Sequence, residues 1–192
     1  MILDPGGEAG TIIQAVLNND SKLRYIWLTH AHHDHVGAVA ALCRRFGLVC
    51  SLHKNDTRLL RHAPMYAIRF AGKTIEPPQP FQSFELPIQF SFGGRAIQII
   101  YSPGHTAGSV CYYLEGFVFT GDTLLYKHVG RTDLPGADSA LLKISINQLI
   151  DTLPDKTMIF PGHGRTWTVE EARTWWKTAI NYPPTFNTFE TV

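Results

Sequence analysis

In the segment Thr29-His30-Ala31-His32-His33-Asp34-His35, His30, His32, Asp34 and His35 place four potential metal ligands within six residues. Imidazole and carboxylate groups together suit zinc, iron or manganese, the metals of hydrolytic and oxidative catalysis. His30 and His32 are two apart, so on an extended loop they point the same way. Asp34 and His35 follow where the chain turns into a helix, free to face a second position. One metal can take the first pair and another the second. A histidine-rich surface tract would have neither the strand-like run Leu23 to Leu28 before it nor the apolar helix after it.

Three Gly-rich turns carry further ligand-type residues. His105 stands in Ser102-Pro103-Gly104-His105-Thr106-Ala107-Gly108-Ser109, Asp122 in Thr120-Gly121-Asp122-Thr123, and His163 in Phe160-Pro161-Gly162-His163-Gly164. Each turn follows a strand-like run: Ala96 to Tyr101, Phe117 to Phe119 and Thr157 to Phe160. Loops at strand ends are where a rigid scaffold displays a site. Alone, His105 or Asp122 reads as an ordinary turn residue; together with the first cluster they read as ligands.

The elements that must position these residues alternate between β and α. Strands are expected at 23–28, 48–52, 96–101, 109–114 and 117–120, all rich in β-branched and aromatic residues. Helices are expected over Thr11 to Leu17, Val36 to Phe46, Ser139 to Leu149 and Val169 to Ile180. Asp138 is a candidate cap for the third. Thr168 and Glu171 form a capping box for the last. Residues 76–88, with Pro77, Pro78, Pro80 and Pro87, read as a surface connection between two halves. Periodicity alone gives an α/β class.

The set His30-x-His32-x-Asp34-His35, His105 in Pro-Gly-His-Thr, Asp122 in Gly-Asp-Thr and His163 in Pro-Gly-His-Gly resembles the metallo-β-lactamase superfamily. The stretch Val129-Gly130-Arg131-Thr132-Asp133-Leu134-Pro135-Gly136-Ala137-Asp138 resembles its short, single-domain hydroxyacylglutathione hydrolase (glyoxalase II) branch. The match runs from Asp4-Pro5-Gly6-Gly7 to about Gly164. This resemblance implies a four-layer αββα sandwich with metals at the edge between two sheets. It implies that His30, His32 and His105 hold one metal, that Asp34, His35 and His163 hold another, and that Asp122 bridges them. Asp34 and Asp122 would serve catalysis as well. Asp4 would support the ligand loop from behind.

Two divalent metals, zinc first with iron or manganese as alternatives, would sit roughly 3.5–4 Å apart and share a hydroxide. That hydroxide would attack a thioester such as S-D-lactoylglutathione, with no Ser or Cys nucleophile and no covalent intermediate. Arg131 stands where the family places a basic substrate-binding residue. It can bind a carboxylate of glutathione or pair with Asp133 or Asp138, while Lys127 and His128 have weaker claims. An aromatic partner is expected at position 133, where this chain has Asp133. A mononuclear iron persulfide dioxygenase, using His30 or His32 with His105 and Asp122, is the runner-up. A catalytically inactive, metal-stabilised interaction module is the third reading. The chain also begins almost on the strand leading to Asp4, so the family's N-terminal hairpin is expected to be missing and a sheet edge exposed.

Composition is consistent with an enzyme acting on a small molecule. The 192 residues suffice for one core, and one domain spanning 1–192 is expected. A net charge of +1 without a basic stripe argues against nucleic acid as a partner. No apolar run is long enough to span a bilayer. Cys43, Cys50 and Cys111 lie in hydrophobic stretches and read as reduced core thiols. A cytoplasmic setting is expected, or an organellar one if a segment precedes Met1. The aromatic residues Trp167, Trp175, Trp176, Tyr182, Phe186 and Phe189 read as packing of the last helix, or as a substrate mouth or dimer contact; oligomeric state is not readable.

Overall fold

The computed structural model describes residues 1–19 and 22–180. Tyr182, Phe186 and Phe189 lie outside the described residues.

The first half is β1 (Ile2–Leu3), α1 (Ala9–Leu17), β2 (Ile26–Trp27), α2 (His33–Val36), α3 (Val39–Phe46), β3 (Cys50–His53), α4 (Thr57–Ala71) and β4 (Phe81–Phe84). The strands form a parallel sheet in the order β1-β2-β3-β4. Parallel neighbours need a crossover, and the helices supply it. Their apolar faces close one side of the sheet, where Val36, Val39, Leu42 and Leu60 pack with Ile26, Leu28 and Leu52.

The second half is β5 (Gln89–Phe92), β6 (Arg95–Tyr101), β7 (Val110–Leu114), β8 (Phe117–Gly121), a short hairpin of β9 (Leu124–Leu125) and β10 (His128–Val129), α5 (Ser139–Thr152), β11 (Met158–Pro161), β12 (Trp167–Thr168) and α6 (Val169–Ala179). Its main sheet runs β12-β11-β8-β7-β6-β5, antiparallel except where β11 meets β8. Leu142, Ile146, Leu149 and Trp176 from α5 and α6 pack on Cys111, Val118 and Ile159 of this sheet.

The two sheets meet through Trp27, Ile97, Val110 and Tyr112. The Trp27 and Tyr112 rings lie 5.1 Å apart, and the buried Tyr112 hydroxyl donates to the Leu28 carbonyl at 2.8 Å. The layers are helix, sheet, sheet, helix, as the resemblance implied. Both expected caps form: Asp138 accepts from the Ala140 and Leu141 amides, and Thr168 and Glu171 close the capping box. Cys43, Cys50 and Cys111 are buried free thiols. No described helix is long and apolar enough to cross a membrane.

Two expectations need correction, and one helix was not expected. The helix expected over Val36 to Phe46 is broken at Gly37 and Ala38. There the chain presses on the Pro5-Gly6 turn: Ala38 N donates to Pro5 O at 2.9 Å, and a Cβ on Gly37 would lie 2.3 Å from Gly6 O. Residues 76–88 are not wholly a connection, because β4 pairs with β3 in register Cys50↔Phe81 to His53↔Phe84. It is an edge strand, which tolerates Pro80 and Pro87 on its flanks. The unexpected helix is α4, whose buried stripe is only Leu60, Ala63 and Ala67 and which runs through Pro64. An internal proline, Pro64, argues against a helix from sequence, although the residues around it keep an apolar face.

Candidate metal centre

Four loops meet at one edge between the sheets. They follow β2, β6, β8 and β11, and backbone bonds hold them in register. Val110 N donates to Thr29 O at 2.9 Å, and Gly162 N to Gly121 O at 2.8 Å.

The sequence-predicted ligands converge there in two adjoining groups. The ligand atoms of His30, His32 and His105 all lie within 4.8 Å of one another, and so do those of Asp34, His35 and His163. In the first group His32 Nδ1 is 2.8 Å from His105 Nε2. In the second, His163 Nε2 is 3.2 Å from Asp34 Oδ2 and 3.2 Å from His35 Nε2. Asp122 lies between the groups. Its Oδ1 is 3.4 Å from His35 Nε2, and its Oδ2 is 3.6 Å from His105 Nε2 and 3.7 Å from His163 Nε2.

The far ring nitrogens are held from outside. Asp4 takes the Thr29 amide at 2.7 Å and the Thr29 hydroxyl at 2.5 Å. That hydroxyl, having donated to Asp4, accepts from His30 Nδ1 at 3.0 Å. Asp4 Oδ2 also accepts from His35 Nδ1 at 3.1 Å. His105 Nδ1 donates to the Arg131 carbonyl at 2.9 Å. In each case the tautomer so fixed turns the Nε2 lone pair inward, as metal ligation requires.

Burial sets the charges. It lowers the pKa of His30 well below 6.5, with repulsion from His35 and His105 adding to it. It lowers His32 to about 3 and lowers His105 too, against the pull of Asp122. For His35 burial is overcome by Asp122 and Asp4, and the pKa rises well above 6.5. His163 is raised by its bond to Asp34. Asp34 and Asp122 are held below the usual carboxylate range: the surrounding imidazoles outweigh burial.

A cation fits this arrangement. His30 Nε2 and Asp122 Oδ1 are buried with no hydrogen-bond partner, which is costly unless something at the centre satisfies them. In each group two imidazole nitrogens face one another, His32 and His105 at 2.8 Å and His35 and His163 at 3.2 Å. The glycines keep the centre open, since a Cβ on Gly162 would lie 2.3 Å from Asp122 Oδ1, and one on Gly130 2.6 Å from His105 Nδ1.

Sequence reasoning missed Asp56. It is buried and accepts from Ala31 N at 3.0 Å, Gly108 N at 2.7 Å and Thr106 Oγ1 at 2.8 Å. It therefore joins the His30–His32 loop to the His105 loop. Burial pushes its carboxyl up, and these three donors oppose the shift. No motif marks it, because most of its partners are backbone amides. His33 was also passed over. Its Nδ1 lies 3.1 Å from Asp34 Oδ1, which helps hold that carboxylate.

A cleft of about 600 Å³ opens on the centre. Asp34, His105, Asp122 and His163 line it together with Leu59, Tyr66 and Phe70 of α4 and with Arg131, Leu134 and Pro135. Arg131 thus reaches the cleft, but its guanidinium is paired with Asp133 through two bonds of 2.9 and 2.8 Å.

An αββα sandwich with a His/Asp cluster at the edge between its sheets defines a class of metalloprotein. The chain belongs to the metallo-beta-lactamase superfamily, which it matches over residues 1–163. It is 34% identical over 176 residues to hydroxyacylglutathione hydrolase GloC of Haemophilus influenzae, covering 90% of this chain and 83% of that protein. Among solved structures it is similar to TTHA1623 in a di-iron-bound form, with 39% identity, a TM-score of 0.82 and coverage of 90% and 86%. It is also similar to the BLEG-1 B3 metallo-beta-lactamase, with 32% identity, a TM-score of 0.80 and coverage of 95% and 86%. Relatives named for different reactions at similar identity place the substrate question on the cleft rather than on the fold.

Proposed function

We propose that this chain is a binuclear metal-dependent hydrolase of a hydroxyacyl thioester. The observation that carries the reading is Asp122, which lies within 3.7 Å of ligand nitrogens from both His groups at the end of an open cleft. In this reading His30, His32 and His105 would hold one divalent metal and Asp34, His35 and His163 the other, with Asp122 as the ligand both would share. Zinc is the first candidate, with iron or manganese next; the di-iron form of TTHA1623 keeps iron in view. When bound, such a pair supplies an activated water and a Lewis acid for a carbonyl oxygen.

The chain's own residues then orient the reaction. Asp34, 44% exposed and therefore reachable from the cleft, is held between His33 and His163. Its carboxylate accepts a hydrogen bond from the attacking water and so positions it, and the proton that the water gives up ends on the leaving thiolate. The water oxygen bonds to the acyl carbon, the acyl–sulfur bond breaks, and the thiolate leaves and is protonated, giving acid and thiol. Asp4, through Thr29 and His35, keeps the ligands aimed inward. The name of the hydroxyacylglutathione hydrolase GloC makes hydroxyacyl thioesters the first substrate class to assay, S-D-lactoylglutathione among them.

Elemental analysis of protein purified without added metal, followed by thioester hydrolysis before and after chelation, tests this. Two metals per chain with chelator-sensitive hydrolysis are expected. One iron per chain, oxygen uptake with glutathione persulfide and no thioesterase activity would replace this reading with the dioxygenase. A large chelator-induced loss of stability without turnover of any thioester would favour the interaction module.

A further inference from the structure

The walls of the cleft bear on which thiol the substrate carries. Tyr66 and Phe70 of α4 stack at 5.9 Å with their planes 14° apart. Phe70 is 50% exposed although it is a large apolar side chain beside the centre. The His33 ring meets it edge-on at 6.4 Å. Leu134 and Pro135 continue the apolar lining.

Charge is scarce there. Arg131 is the one permanently cationic side chain among the described residues lining the cleft. Its Nε and Nη2 take both oxygens of Asp133, at 2.9 and 2.8 Å, the fork geometry a substrate carboxylate would otherwise use. The nearby cations Lys127 and Arg165 lie over the Tyr126 ring, at 5.5 and 3.9 Å, and do not line the cleft.

We propose that this cleft seats the thiol half of the substrate as an uncharged, apolar or aromatic group against Tyr66 and Phe70, and that Asp133, by occupying Arg131, disfavours thiols bearing carboxylates. The inference rests on the thioester reading. The arrangement is one of selection by exclusion as much as by attraction. An anionic tripeptide thiol would lose its hydration along walls that, away from the metal centre, offer no unpaired permanent cation among the described residues, whereas an aromatic thiol would stack on the exposed Phe70 ring.

Binding of two non-hydrolysable thioethers to the metal-loaded protein, by calorimetry, tests it without turnover. Both carry the same 2-hydroxypropyl group, one on benzyl mercaptan and one on glutathione. The benzyl thioether is expected to bind about tenfold tighter or more, as loss of one charge-assisted contact implies. Asp133→Asn should shrink that ratio about tenfold by improving the glutathione thioether, and Arg131→Gln added to it should abolish the gain. Phe70→Ala should shrink the ratio roughly fivefold by weakening the benzyl thioether. A wild-type preference for the glutathione thioether, or a ratio unmoved by Asp133→Asn, overturns the proposal. The matching lactoyl thioesters are assayed in parallel. Binding preference without hydrolysis of either ester would leave the cleft assignment standing and sink the hydrolase.

Discussion

Asp56 accepts a hydrogen bond from the backbone amide of Ala31 at 3.0 Å, across 25 residues of sequence. Ala31 lies between His30 and His32, and the same carboxylate holds Gly108 N and the Thr106 hydroxyl beside His105. One buried side chain therefore sets the distance between the loops of the first ligand group. Asp56→Ala leaves the buried Ala31 and Gly108 amides without an acceptor, while the Thr106 hydroxyl keeps Ser109 Oγ at 2.7 Å, at a cost on the order of 2–4 kcal/mol. The expected result is a lower Tm that added metal only partly restores. A variant as stable and as metal-rich as the parent would show that the loops hold themselves.

Asp4 acts on the other side of the ligands. Asp4→Ala removes the acceptor for Thr29 and for His35 Nδ1. Loss of such an outer partner weakens metal binding roughly 10- to 100-fold. Chelator competition on the purified protein measures it. Unchanged metal affinity would reduce Asp4 to a turn residue.

Gly162 tests how closely the centre is built. A Cβ there would lie 2.3 Å from Asp122 Oδ1 and 2.7 Å from His35 Cε1. Gly162→Ala must displace Asp122 or His35, so metal content should fall. Gly7→Ala, whose Cβ meets nothing within 4 Å, is the control and should keep its metal.

Protons compete with metal unequally in the two groups. In the metal-free protein burial lowers the pKa values of His30, His32 and His105, so these imidazoles stay neutral to lower pH than a free histidine does. His163 is raised by Asp34, and His35 is raised by Asp122 and Asp4 against its burial. A protonated imidazole has no lone pair to offer a metal. With these signs, lowering the pH should empty the Asp34–His35–His163 position first. Elemental analysis after dialysis across a pH series should pass from two metals per chain through one to none. Simultaneous loss of both would contradict the asymmetry.

Removing metal should also cost stability, because a ligand that binds only the folded state stabilises it by mass action. Treatment with chelator is expected to lower Tm, and readdition of zinc or iron to restore it. A melt insensitive to chelator would mean that the packed layers alone hold the loops.

What was legible in the sequence is local. His30, His32, Asp34 and His35 stood out as ligand-type residues crowded after a strand, and His105, Asp122 and His163 as ligand-type residues in Gly-rich turns at strand ends, because both patterns depend on near neighbours. The caps Asp138 and Thr168 were readable for the same reason, since a cap meets amides two or three residues away. Tertiary structure decided the rest. It placed Asp122 within reach of both His groups, brought Asp56 to Ala31 and Thr106, and laid Tyr66 and Phe70 along the cleft. It also settled that Arg131 pairs with Asp133, one of two partners that spacing had left open. A carboxylate whose main partners are distant backbone amides has no residue-type signature, because every residue but proline offers the same N–H. A proline in mid-helix argues against the helix that forms around it, so the wall that α4 builds became visible only once the chain had folded back beside its own ligands.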